Sequence, residues 1–248
     1  MAPPDEAEFE AQLSAYQANV VVVTRCFFAM TAINRFASQD STLLERLNHA
    51  PEFWNLVQAT NQTTLFITLG RILDQTDARF SLDKLVKGAQ SNSGAIFAES
   101  RLADRKRRGS ANADEWLCDY LKNIYVPLPK DFRALRRACD HYRRRFEAIY
   151  RPIRNQVYAH SIAARAEAAE LFAATNLIEM QRIIRFLDRV GSSLWLVYWN
   201  GENPLHRRRF PPVSVERLAN TPPRSGGSSD QEIIFHAVRK VMEQLGKR

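Results

Sequence analysis

Between residues 5 and 200 the chain carries only five glycines and four prolines, and its apolar residues recur every three or four positions. That period is the α-helical one, so a stretch this long with so few breaks must fold as helices packed along their apolar stripes. In the first segment Leu13, Tyr16, Val20, Val23, Phe27, Met30 and Ile33 share a face. A turn rich in Ser, Asp and Asn follows, with Ser41 expected to cap a short helix over Leu43–Leu47. Pro51 opens a second long helix through Trp54, Leu65, Leu69, Ile72 and Leu73, ending near residues 74–77. Weaker helical patterns fill 81–125, broken by Gly88, the 91–94 turn and Gly109. The cleanest stripe follows: Phe132, Leu135, Cys139, Tyr142, Phe146, Ile149, Ile153 and Val157. It crosses Pro152, which is expected to kink that helix rather than end it. A last core helix is expected over 168–199 through Leu177, Met180, Ile184, Leu187, Leu194 and Val197.

No strand alternation of useful length and no internal repeat interrupt this pattern. The chain reads as all-α: an up-and-down bundle of four long helices with a shorter helical insertion and a C-terminal tail helix. The expected divisions are a bundle over 1–200, a Pro/Gly/Ser-rich linker over 201–230, and a helix over 231–248 that Asp230 would cap and that runs through Ile233, Val238 and Met242.

With 248 residues, 45% hydrophobic and 25% charged, the composition is that of an ordinary globular protein able to build a core without staples. Cys26, Cys118 and Cys139 are odd in number and widely spaced, which argues against both a disulfide framework and a structural zinc. The acidic start, Asp5-Glu6, is unlike a signal peptide, and the most apolar run, 20–33, is cut by Arg25. The expectation is a soluble cytoplasmic protein with no membrane partner. The sequence has no glycine-rich phosphate loop ending in Lys-Ser/Thr, no HExxH and no GxSxG, so neither a cofactor nor a metal is expected.

Lys and Arg number 35 against 27 Asp and Glu, a net charge of +8, and 28 of the 35 are arginine. They cluster at 105–108, at Arg133, Arg136 and Arg137, at 143–145 and at 207–209. Clustered guanidinium groups attract polyanions, which makes RNA the leading partner. The alternative is a solvated face, in which Asp140, Arg144 and Glu147 pair along one helix.

One compact segment carries potential chemistry: Arg151-Pro152-Ile153-Arg154-Asn155-Gln156-Val157-Tyr158-Ala159-His160-Ser161. On a smooth α-helix His160 returns to within about 20° of the apolar stripe, and Arg154 sits about 100° off it and ~9 Å away along the axis. His160 then has two readings. It is a hydrogen-bonded core or helix-terminal histidine with Arg154 paired to a carboxylate, or the stripe runs out into a cleft and the two groups do chemistry. A neutral imidazole can take the proton of a ribose 2′-OH, a guanidinium can stabilise charge building on the phosphate, and Asn155 can orient either. One segment supplies one base and no acid, so cleavage calls for a twofold homodimer that brings two segments to one phosphate.

The Arg154-Asn155-(four residues)-His160 pattern resembles the HEPN superfamily, whose ribonucleases carry an Arg, a polar residue, a few variable positions and a His. The wording Tyr150-Arg151-Pro152-Ile153-Arg154-Asn155, then Ala159-His160-Ser161, resembles the abortive-infection AbiU-like branch. So does Leu69-Gly70-Arg71-Ile72-Leu73-Asp74, in which Arg71 and Asp74 share a helix face. The resemblance covers about residues 10–200. It implies an all-α bundle, dimerisation through the motif helices, and metal-independent endoribonuclease activity leaving 2′,3′-cyclic phosphate ends, in a toxin or antiphage effector. Its site would comprise Arg154, His160 and Asn155, with Arg71, Asp74 and Tyr158 auxiliary, Arg151, Arg143 and Arg144 on nucleic acid, and an antitoxin or regulatory partner. Some members have a Tyr just beyond the His that a partner enzyme modifies; Ser161-Ile162-Ala163 stand there here, leaving Tyr158 as the candidate target. Two further readings stay open: a HEPN module that binds nucleic acid or a nucleotide without catalysis, and an interaction protein in which Arg154 and His160 only pack.

Overall fold

The structure, a computed structural model, describes residues 4–74, 81–159, 164–203, 214–222 and 229–247. Every regular element among them is helical. In chain order these are α1 (Pro4–Gln39), α2 (Ser41–Leu47), α3 (Pro51–Leu73), α4 (Leu82–Ser91), α5 (Ser93–Ile96), α6 (Glu99–Gly109), α7 (Ala113–Leu121) and α8 (Pro129–Arg145). A π-helical turn, π1 (Phe146–Tyr150), leads into α9 (Arg151–Ile153) and a second, π2 (Arg154–Ala159). Then come α10 (Arg165–Ala173), α11 (Leu177–Asn200), α12 (Val215–Ala219) and α13 (Asp230–Lys247). The all-α reading therefore holds, and α1, α3, α8 and α11 occupy the four long stripes.

The local chemistry departs from the sequence reading at several joints. Asp40, not Ser41, caps α2, its carboxylate accepting from the Leu43 amide at 3.0 Å. Gly88 does not break a helix but lies inside α4. The single helix expected over 168–199 is two, because Asn176 Oδ1 accepts from the amides of Ile178 (2.8 Å) and Glu179 (3.2 Å) and so starts α11 afresh. At α13 the cap is Ser229, in a reciprocal box with Glu232: the Ser229 amide donates to Glu232 Oε2 at 2.9 Å and the Glu232 amide to Ser229 Oγ at 3.4 Å. Asp230 instead accepts from Arg25 at 2.6 Å. A short helix, α12, stands within the Pro/Gly/Ser-rich stretch.

The chain divides into two compact units. The first comprises Met1–Ala18, Arg71–Ala148 and Arg185–Phe210. Its core is an aromatic cluster in which Phe9 meets Phe97 edge-on at 5.4 Å and Tyr198 at 5.1 Å, with Phe132 5.4 Å from Phe97. Tyr16 is fully buried, and its hydroxyl donates to the Leu187 carbonyl at 2.8 Å. Arg105, from the most basic run of the sequence, is 2% exposed rather than solvated. It pairs with buried Glu6, donates to the carbonyls of Tyr198 and Ile96 at 3.1 Å each, and lays its guanidinium over the Tyr198 ring at 4.0 Å. Burying a charge is tolerable only with such full pairing.

The second unit comprises Asn19–Gly70, Ile149–Ile184 and Pro211–Arg248. Phe28, Leu65, Phe66, Leu69, Tyr150, Ile153, Ile183 and Ile184 are buried in it. Phe235 of α13 reaches Phe36 at 5.5 Å, and Arg46 of α2 donates to the Leu245 carbonyl. One residue expected in the core is outside it, since Leu177 is 67% exposed. Leu177 and Ile178 instead edge an open groove with Phe27, Met30 and Val215.

Among the described residues, α1 is long and apolar enough to cross a membrane by length and composition. Its stripe, Leu13, Tyr16, Val20, Val23 and Phe27, is nevertheless buried by protein, each at 4% exposure or less.

Candidate active site

The motif segment belongs to the second unit and is not the smooth α-helix assumed from the sequence. Pro152 has no N–H to give Ala148, and its ring crowds that carbonyl. The helix meets this with π1, whose i to i+5 bonding opens the turn just before the proline, and after α9 it widens again in π2. A residue in a π turn rotates by less than the 100° of an α-helix, so the angles and the ~9 Å separation assigned to Arg154 and His160 do not apply. His160, with Ser161, Ile162 and Ala163, lies outside the described residues.

What the widened turn does place is a pair of polar groups and, on the same turn, a ring anchored by its neighbours. Arg154 Nη1 donates to Asn155 Oδ1 at 2.9 Å, so the guanidinium and the adjacent amide hold each other. On the same turn Tyr158 stacks on Phe66 of α3, with ring centroids 5.4 Å apart and planes 22° from parallel. Phe172 of α10 closes the cluster edge-on, 6.1 Å from Phe66 and 6.3 Å from Tyr158. Burial pushes the Tyr158 hydroxyl up to about 12, so it stays protonated across the physiological range. This is a ring anchored in the fold, half-buried, rather than an accessible handle. Tyr150 anchors the other end: it is fully buried, and its hydroxyl donates to Asn176 O and Glu179 Oε2, both at 3.3 Å.

α3 meets this turn with Gly70 as well as Phe66. A Cβ on Gly70 would stand 2.7 Å from Arg154 Nε, 3.2 Å from Cδ and 3.3 Å from Cζ, so the arginine lies in space that only glycine leaves open. Phe66 and Phe172 were not singled out from the sequence, and Gly70 and Tyr150 stood there only as members of the runs that carry the resemblance, with no role assigned. The one available signal was a glycine inside a long helix, which costs about 1 kcal/mol against alanine and usually has a packing reason.

The remaining expected site residues are dispersed. Arg71, exposed in the last turn of α3, and Asp74, just beyond its end, fall in the first unit. Arg151 is half-buried. Arg143 is turned onto carboxylates rather than presented to a ligand, 3.1 Å from Asp140 and 3.7 Å from Glu147, with its side chain 20% exposed. The pairing assigned to Arg144 thus belongs to Arg143, and Arg144 Nε donates to the Asp140 carbonyl at 3.3 Å. Of the cations exposed on α8, Lys130, Arg133, Arg137 and Arg144 recur at intervals of three, four and seven. All four are exposed on one face, and none forms an ion pair with a described residue. Among the described residues no group of three or more His, Cys, Asp or Glu could hold a metal ion.

Neither the curated proteins nor the solved structures contain a match to this chain. A family model does match: that of AbiU2 in the HEPN class, over residues 6–208, a span that contains α3, α8, α11 and the whole Arg154–His160 segment. The all-α architecture agrees with it, and the chain belongs to the HEPN AbiU2 family.

Proposed function

We propose that this protein is a metal-independent endoribonuclease acting as a homodimer in the cytoplasm, in the role of a toxin or antiphage effector under the control of an antitoxin or regulatory partner. The observation that carries the reading is the Arg154–Asn155 pair, locked together at 2.9 Å on a π turn in the segment that resembles the HEPN motif, within the span of the family match. π turns inside α-helices are frequent at functional sites, because they re-aim side chains that a regular helix would keep on its stripe.

In the proposed reaction His160 takes the proton of a ribose 2′-OH. The oxygen attacks the adjacent phosphorus, the bond to the 5′ oxygen breaks, and that oxygen takes a proton from His160 of the partner subunit. The products are a 2′,3′-cyclic phosphate and a 5′-hydroxyl. Arg154, which cannot lose its charge, stabilises the phosphorane oxygens, and Asn155 keeps the guanidinium aimed.

A gel assay with full-length protein, labelled RNA and excess EDTA tests this. The expected result is cleavage by the wild type and a loss of at least about 100-fold in both Arg154→Ala and His160→Ala. Heterodimers of wild type and His160→Ala, which carry one imidazole where the reaction uses two, should cut far more slowly than the wild-type homodimer. RNA shifted in the gel but uncut would leave only the binding-module reading standing.

A further inference from the structure

α3 and the motif turn meet through two pairs of residues. Phe66 and Gly70 are four apart on α3, and Arg154 and Tyr158 are four apart on π2. Phe66 stacks on Tyr158 while Gly70 accommodates Arg154, so the segments run antiparallel with a large residue against a ring and a vacant Cβ position against a guanidinium. We propose that Gly70 is a positioning residue of the site: its bare backbone is the seat that fixes where the Arg154 guanidinium rests, with Asn155 holding the Nη1 end. The proposal rests on the reading of Arg154 as the cation that faces phosphate.

The geometry explains why glycine stands within α3, where it weakens the helix relative to alanine. It also says what alanine would do. The atom met at 2.7 Å belongs to a flexible side chain, and ordinary contact begins at 3.4 Å, so relief of the contact moves the guanidinium by up to about 0.7 Å while the backbone stays. Misplacing a catalytic group by about 1 Å costs on the order of 100-fold in rate.

The test is Gly70→Ala, read in three ways on the full chain. In a ¹H–¹⁵N spectrum the Arg154 Nε–H resonance, assigned by its loss in Arg154→Lys, should shift, while Gly94→Ala, whose Cβ meets nothing within 4 Å, leaves it in place. RNA cleavage in EDTA should fall about 10- to 100-fold in kcat with KM within about twofold. In an Arg154→Ala background the same substitution should change the residual rate less than about twofold, since the group it displaces is gone. If Gly70→Ala lowers the thermal midpoint, Gly70→Ala/Arg154→Ala should restore it. An unmoved resonance, an equal loss in both backgrounds, or no restoration overturns the positioning role. A wild-type protein that does not cut RNA overturns the nuclease reading alone, because the resonance still decides the place of Gly70.

Discussion

Phe66→Ala is the substitution that most sharply tests how the motif turn is held. The ring is 4% exposed and touches Tyr158 at 5.4 Å, Phe172 at 6.1 Å and Tyr150 at 6.3 Å. Truncating a buried Phe to Ala costs about 3–5 kcal/mol, most of it lost burial plus the cavity left behind. A stacked pair contributes about 0.5–1.5 kcal/mol beyond area. Phe66→Leu fills most of the volume but forfeits the stack, so it should cost about 1–2 kcal/mol. At about 2–4 °C per kcal/mol for a chain of this size, a loss of about 4 kcal/mol lowers the calorimetric midpoint by roughly 8–16 °C, and the leucine variant by well under half of that. A second readout is chemical. Burial is what raises the Tyr158 hydroxyl to about 12, so in Phe66→Ala its ionisation, followed by ¹³C-labelled tyrosine resonances and assigned with Tyr158→Phe, should fall back toward the usual value near 10. A midpoint drop under about 3 °C, a leucine variant as damaged as alanine, or a Tyr158 still titrating near 12 would refute the reasoning.

Three further outcomes follow from other parts of the structure. If Lys130, Arg133, Arg137 and Arg144 each neutralise one phosphate of single-stranded RNA, at about 0.7 per contact, log K should fall with log salt at a slope of at least about −2.8, and Arg133→Ala/Arg137→Ala/Arg144→Ala should flatten it by about 2; an unchanged slope removes α8 from the RNA path. Above pH 10 stability should decline: burial raises the hydroxyls of Tyr16, Tyr120, Tyr125, Tyr158 and Tyr198, so the folded chain holds protons the unfolded chain has released, and urea midpoints should drop between pH 10 and 12. A midpoint flat over that interval contradicts those burials. Gly201→Ala should cost more stability than Gly70→Ala, about 2 kcal/mol or more by thermal melts, because Gly201 has φ +54° and its Cβ would meet Leu102 at 2.7 Å and the Cβ of Ile124 at 2.9 Å. Those neighbours cannot swing away as an arginine tip can, and a larger loss at Gly70 would reverse the argument.

Much of the fold could be read from the residues because helical periodicity states burial directly: Leu13, Tyr16, Val20 and Val23, or Leu65, Leu69 and Ile72, are where the stripes put them. What periodicity omits is the joints. It carries no sign of where hydrogen bonding slips from i+4 to i+5, so the two π turns around Pro152 were invisible, and a count of angles through them assumes a smooth helix that the chain does not have there. It also cannot tell a first helical turn that faces solvent from one that faces the core, which is why Leu177, one residue past the Asn176 cap, was misplaced. Charge runs are similarly mute about partners: nothing near Arg105 in sequence reveals that Glu6, 99 positions earlier, would draw it inside. At the site, Arg154 and Asn155 were legible as a motif, and the structure brings them together. Gly70 and Phe66 were not, since their meaning arises only when α3 lies antiparallel to the motif turn. Arg143 was misread because its carboxylate partners, three residues before and four after, matched the register of a neighbour.

The central claim concerns chemistry at one sugar–phosphate link, so the end group of the product tests it most directly. RNA incubated with the purified full-length protein in excess EDTA, then analysed by mass spectrometry, should yield fragments carrying 2′,3′-cyclic phosphate on one side of the cut and 5′-hydroxyl on the other, with both absent when His160→Ala replaces the wild type. Intact RNA with the wild type, or the same fragments from His160→Ala, would contradict the account.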